Sequence, residues 1–142
     1  MARNNYTAHT EKGQSLVEFG IGLFILIILL AGSVDAGRAL VTYMALREAA
    51  QEGALYGSTN PTANSLIEDR VQDSSDVLQS IGADADVEIQ LIGSACTGNG
   101  IRVRVTYEDF PITMPFMGTL IGSQTVPISA SAANTILRPP CP

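Results

Sequence analysis

The sequence predicts an α+β fold, in which a long N-terminal membrane-spanning α-helix precedes a small domain with a short helix and an antiparallel β-sheet. Three observations lead to this prediction. The apolar residues of the 142-residue chain are concentrated between Leu16 and Leu46. Helix-favouring sequence continues beyond this region without a proline as far as Gly57. From about residue 86 onward, the apolar spacing changes from a helical period to a period of two, which indicates strands.

The N-terminal third begins with a polar segment and continues into the apolar run. Residues 1–12 carry Arg3 and Lys12, which favours a cytoplasmic position under the positive-inside tendency. From Phe19 to Val34 the chain has no charge. A membrane-spanning helix needs about 20 apolar residues, so we expect the span to cover 16–36, with its polar flanks at the interfaces.

One helix is predicted from residue 14 to residue 57, since the Gly57-Ser58 pair and the following Asn60-Pro61 supply the stop. On its outer part a small residue recurs every fourth position and leaves one helix face without bulk. Such a face allows another helix or a sheet to approach closely, although alanine is also simply a good helix former. This small-residue stripe consists of Ala45, Ala49, Gly53 and Gly57.

The remaining residues, 58–142, predict a small α+β domain. An amphipathic helix is expected over 62–81. Alternation in residues 86–92 and 101–107, around a glycine-rich loop, predicts an antiparallel hairpin. A third alternating run covers 125–137, and Pro127 indicates that it starts at a sheet edge. The apolar stretch 109–122, interrupted by Pro111 and Pro115, predicts a buried or membrane-proximal loop.

Composition and motifs argue against several classes of function. The formal net charge is −6 and the eight basic residues are scattered, which argues against nucleic acid or an anionic membrane surface as a partner. Catalysis finds little support, because the only histidine is His9 and no serine or cysteine lies beside an obvious base. We therefore expect a non-enzyme with no cofactor and no small-molecule substrate.

No metal site is predicted either. The triplet Asp84, Asp86 and Glu88 resembles the start of a calcium-binding loop, but Ile89 stands where the loop needs glycine. Alternation places the three carboxylates on one solvated sheet face.

The two cysteines, Cys96 and Cys141, have neither a CxxC spacing nor a histidine partner, so a zinc site is disfavoured. If the domain lies outside the cytoplasm, a disulfide between them is expected, which would hold down the C-terminal tail. The alternative is a pair of free thiols, one in a loop and one in a frayed tail.

The start of the helix carries a recognisable motif. Gly13, Gln14 and the Glu18-Phe19 pair, leading into an apolar helix, resemble a type IV prepilin signal. The resemblance implies a cytoplasmic leader of residues 1–13, cleavage by a prepilin peptidase between Gly13 and Gln14, and methylation of the new amine.

The resemblance extends along the helix. The Asp35-Ala36-Gly37-Arg38 element and the later run from Ala49 to Ala54 are similar to the N-terminal signature of TadE-like proteins, pilin-like components of tight-adherence (Tad or Flp) pilus systems. This implies a single-pass membrane protein with a cytoplasmic N-terminus and an extracytoplasmic domain that takes part in pilus assembly. The implied partners are prepilin peptidase, other pilin-like subunits, the Tad/Flp secretion machinery and membrane lipid.

The resemblance also suggests a role for Glu18. A lone carboxylate at the bilayer centre costs about 2.5–3.5 kcal/mol on insertion scales. In an assembled bundle Glu18 would pair with the amine of Gln14, its own or a neighbour's, and would set the register of insertion with Phe19 beside it. The alternative is a carboxylate at the cytoplasmic interface that the helix N-terminus stabilises modestly.

Two other interpretations remain. Signal peptidase could cleave after Ala36, following the small Val34, and release a secreted binding module. An uncleaved single span could instead anchor an adhesive or binding domain outside the cell. The twenty or so helix-favouring residues beyond Ala36 argue against the first of these.

Overall fold

In the computed structural model, residues 11–81, 84–115 and 117–141 are described, and the side chains of residues 11 and 12 are not. Most of the expected leader, including Arg3 and His9, lies outside the described residues. The predicted α+β architecture of a long N-terminal helix followed by a small domain is confirmed.

Helix α1 covers Glu11–Thr59 without interruption. Its 49 residues correspond to about 74 Å at 1.5 Å per residue, far more than a bilayer is thick. The helix ends where the Asn60 amide donates to the carbonyl of Tyr56 at 3.1 Å and Pro61 follows. The inner half of α1 lies outside the domain except near its end, where Gly32 and Asp35 contact the loop after β2, and the outer half of α1 forms part of the domain.

The single helix predicted over 62–81 is instead two helices, α2 (Asn64–Gln72) and α3 (Asp76–Ile81). Serine side chains explain the break between them. The Ser74 hydroxyl donates to the carbonyl of Val71 at 2.7 Å, and the Ser75 hydroxyl accepts from the amide of Leu78 at 3.2 Å. Local serine bonds of this kind compete with helix continuation and favour a new helix start.

The sheet has three antiparallel strands in the order β1 (Ala85–Ile92), β2 (Gly100–Pro111) and β3 (Thr125–Thr135). The predicted hairpin of β1 and β2 is confirmed, with Glu88 opposite Arg104 and Gln90 opposite Arg102. Strand β3, which contains Pro127, lies at an edge as expected. A register shift between Tyr107 and Phe110 interrupts the pairing of β2 with β3.

The apolar stretch after β2 contains a short helix that the sequence did not predict, α4 (Met117–Ile121). Pro111 and Pro115, on which the prediction of a buried or membrane-proximal loop relied, lie before this helix, so nothing in its five residues opposes a helical turn.

The core lies where the outer half of α1 packs on the sheet and on α2 and α3. Alternate residues of β2 (Ile101, Val103 and Val105) are fully buried there, together with Ile67 and Val71 of α2 and Leu78 of α3. α1 contributes Leu46 and several alanines to the same cluster, so the core includes residues on both sides of position 58.

Candidate functional site

The residues of the expected processing site lie at the exposed start of α1. Gly13 and Gln14 both belong to the helix and are exposed, and a Cβ at Gly13 would meet no atom within 4 Å apart from the adjacent residues and backbone of α1 itself. Glu18 follows one turn after Gln14 and is exposed, and the neighbouring Phe19 side chain is 72% exposed. Cleavage at this site and the role of Glu18 stay predictions.

The segment that follows is apolar and largely exposed. α1 is the one helix in the described part of the chain that is long and apolar enough to cross a membrane, and the most apolar window in it is not buried by the domain. Large side chains such as Leu23, Leu26 and Leu30 are about half exposed or more. Because large apolar surface of this extent is unfavourable in water, a membrane position of this segment is supported.

At the outer end of the expected span, α1 binds the loop after β2 through Asp35, whose side chain is nearly buried. One carboxylate oxygen of Asp35 accepts from the backbone amides of Thr113 at 2.8 Å and Met114 at 2.7 Å. The other accepts from the Thr113 hydroxyl at 2.6 Å. Three hydrogen bonds from the loop thus satisfy one carboxylate, and ionised acceptors make the stronger bonds.

Arg38, one turn later on α1, completes this cluster. Its guanidinium lies 3.5 Å from the Asp35 carboxylate and donates to the Thr113 hydroxyl at 2.8 Å. It also lies 5.3 Å from the centre of the Phe110 ring, a cation–π distance. Asp35, Arg38 and Thr113, which we call the helix–loop clasp, therefore fix the end of β2 and the following loop to α1.

The sequence singled out Asp35 and Arg38 only as parts of a family-like element and gave no role for Thr113. One signal pointed to the clasp. A carboxylate and a guanidinium at i and i+3, directly after an uncharged run, lie on one helix face and can bind one partner. Sequence alone could not identify that partner, because Asp35 and Thr113 are separated by 78 positions.

The small-residue stripe lies against the chain's own domain. Ala45, Ala49, Gly53 and Gly57 are all buried. A Cβ at Gly53 would lie 2.6 Å from Val71 Cγ2, and one at Gly57 would lie 2.6 Å from Ile101 Cδ1. α2 and β2 therefore approach α1 more closely than any larger side chain at these positions would permit.

The two cysteines meet at the other end of the domain. Cys96, in the loop between β1 and β2, is joined to Cys141 in a disulfide, with Cα atoms 5.0 Å apart. Thr97 also binds the tail, since its amide donates to the carbonyl of Pro139 at 2.8 Å. The amide of Leu137 donates to the carbonyl of Ser58 at 2.7 Å, so the tail also satisfies a carbonyl at the end of α1.

The polar sheet face and the grooves show no arrangement for catalysis in the parts of the chain that are described. Glu88 and Arg104 form an exposed ion pair at 3.7 Å, on the face where Asp86 also lies. Within residues 11–81, 84–115 and 117–141, no three His, Cys, Asp or Glu side chains gather closely enough to hold a metal ion. A groove of about 500 Å³ between α1 and α2 is lined by Glu48, Glu52, Arg70 and other mostly polar side chains.

Comparison with known proteins relates the N-terminal part of the chain to a family. The chain matches no curated protein and no solved structure. Residues 13–55 match the model of the TadE-like protein family. This range contains the exposed helix start, the apolar segment, the Asp35–Arg38 pair and most of the small-residue stripe. The match confirms, over those residues, the resemblance expected from the sequence.

Proposed function

We propose that this chain is a pilin-like membrane protein that takes part in the assembly of a tight-adherence pilus, as a minor subunit or an assembly component. The observation that carries the proposal is the match of residues 13–55 to the TadE-like family. It acts as a structural component and not as an enzyme.

In this proposal a prepilin peptidase removes residues 1–13, and Gln14 becomes the first residue. The inner half of α1 then spans the membrane, with the N-terminus in the cytoplasm and the domain outside. Two features support this arrangement. The helix start is free of the domain, so a membrane peptidase can reach Gly13, and the most apolar window of the helix is not buried inside the protein.

Other pilin-like subunits of the Tad/Flp machinery are the proposed partners of the exposed apolar segment, and Glu18 sets the register between them. Within the described residues no hydrogen bond or ion pair holds the Glu18 carboxylate, so it is available to the amine of Gln14, its own or that of an adjacent subunit. A register error would leave one charge unpaired in a low dielectric, which is strongly unfavourable.

Determination of the mature N-terminus tests the processing step. Intact-protein mass and N-terminal sequencing of protein from the native envelope should give Gln14 as the first residue. Gly13→Leu should leave a membrane-bound precursor. Gly20→Leu is a matched control, because a Cβ there also meets no atom within 4 Å, and it should be processed normally.

Three results would contradict this step. A chain that starts at Gly37 would establish the secreted binding module, and an intact Met1 would favour the uncleaved anchor. Normal maturation of Gly13→Leu would remove the prepilin interpretation altogether.

Glu18→Gln tests the assembly role separately from processing. The variant keeps the size of the side chain and removes its charge, so it should insert and be processed but fail to co-purify with the pilus machinery. Glu48→Gln, an exposed charge removal on the outer part of α1, should assemble normally. Normal assembly of Glu18→Gln would instead support a carboxylate that merely rests at the cytoplasmic interface.

A further inference from the structure

The loop that the clasp binds is itself apolar. Residues 112–124 contain no charged side chain, and the segment 112–122, which we call the apolar loop, consists of Ile, Thr, Met, Pro, Phe, Gly and Leu residues. α4 lies within it and buries none of its residues. Leu120 is 80% exposed and Ile121 is 55% exposed. Exposed apolar side chains grouped on one uncharged loop indicate a surface with a partner.

The position of the apolar loop along α1 identifies that partner. A Cβ at Gly32 would lie 2.7 Å from Met114 Cε, so the tip of Met114 reaches the level of Gly32. Gly32 lies four residues inside the outer end of the expected span, or about 6 Å along the helix axis. Polar headgroups and the adjacent acyl chains occupy this depth of a bilayer.

Hydrogen bonds of the Gln124 side chain hold the start of α4 close to Met114. Gln124 Nε2 donates to the carbonyls of Ile112 at 2.8 Å and of Met114 at 3.3 Å, while Gln124 Oε1 accepts from the amide of Gly118 at 3.1 Å. The single side chain of Gln124 therefore joins the start of α4 to Met114, and the clasp fixes the loop to α1.

We propose that the apolar loop inserts into the outer interface of the membrane and binds lipid there, as a second contact of the domain with the bilayer beside α1. In this arrangement the exposed side chains of α4 enter the lipid that surrounds the outer end of α1. The contact fixes how close the domain lies to the membrane and how α1 is oriented about its axis. The inference rests on the proposed membrane insertion of α1.

Single tryptophans provide the test, because the natural chain has none. Leu120→Trp and Ile121→Trp report on the apolar loop. Leu26→Trp reports on the middle of the span, and Leu137→Trp, also at an exposed leucine (60%), reports on the far end of the domain. Each full-length variant is reconstituted in phosphatidylethanolamine/phosphatidylglycerol vesicles with acyl chains brominated either near the headgroup or at mid-chain.

We expect the emission of Leu120→Trp and Ile121→Trp to be shifted to shorter wavelength and quenched, more strongly by the shallow bromines than by the deep ones. Leu26→Trp should show the opposite order, and Leu137→Trp should be quenched by neither. The proposal is overturned if both loop reporters behave like Leu137→Trp while Leu26→Trp is quenched, which would leave the membrane span intact. A blue shift without quenching would also overturn it, because protein, such as a second copy of the chain, would then cover the loop. Absence of quenching at Leu26→Trp would overturn the span and this inference together.

Discussion

The Asp35 carboxylate links α1 to the loop after β2, which is far away in sequence. It accepts three hydrogen bonds from that loop, two from Thr113 and one from Met114. Asp35→Asn keeps one oxygen for the two amides but replaces the other with an NH₂ donor, which faces a hydroxyl that already accepts from Arg38. It also removes the ion pair with Arg38. In membrane-reconstituted Asp35→Asn we expect the backbone amides of residues 112–122 to exchange faster than in the wild type, and in Asp35→Ala faster still. The exchange of the β1–β2 hairpin should not change in either variant.

Hydrogen exchange followed by mass spectrometry measures this effect segment by segment. Asp86→Asn is the matched control, because Asp86 is an exposed carboxylate on the sheet and its loss should leave residues 112–122 unchanged. Equal exchange in the wild type and in Asp35→Ala would show that the clasp does not hold the loop.

Among the secondary-structure elements, the loop between β1 and β2 and the C-terminal tail depend on each other. The disulfide closes a segment with a sequence separation of 45, which in the chain-entropy model corresponds to about 4 kcal/mol in the free energy of unfolding. Cys141→Ser should lower the free energy of unfolding by up to that amount, as measured by urea denaturation of the full-length protein without reductant.

Reductant provides the control for the disulfide. It should destabilise the wild type to the level of Cys141→Ser and should leave the variant unchanged. Two alkylatable thiols in protein taken from the native envelope would contradict the disulfide and would also weaken the external position of the domain.

At the level of the whole molecule, α1 is both the membrane segment and a part of the domain core. Leu46, Ala49, Ala50 and Ala54 belong to the same buried cluster as the sheet. A fragment of residues 58–142 loses all four, and truncation of one buried leucine alone typically costs about 2–5 kcal/mol, a large part of the usual stability of a domain. We expect 37–142 to fold cooperatively and 58–142 to remain unfolded.

Thermal unfolding by circular dichroism and the dispersion of amide signals in NMR spectra distinguish the two fragments. A cooperative transition of 58–142 would show that the sheet and its short helices form a core without α1.

The sequence by itself determined the elements whose pattern is local. An uncharged run, the absence of proline up to Gly57 and a change of apolar period were enough to predict α1, the hairpin of β1 and β2 and the edge position of β3. The motif from Gly13 to Phe19 and the Asp35–Arg38 element likewise lie in one continuous segment, and that segment matches the family. In each case the pattern that supports the prediction lies in one continuous stretch of the chain.

Only the tertiary structure decided which segments meet. The break between α2 and α3 is an exception, because it depends on local serine hydrogen bonds that an averaged helical pattern does not contain. The packing of Gly53 on Val71, and the binding of Thr113 by Asp35, join residues far apart along the chain. Such contacts follow from the way α1 packs on the sheet. Sequence periodicity cannot supply this geometry, because periodicity fixes which face of an element is apolar but not which other element covers that face.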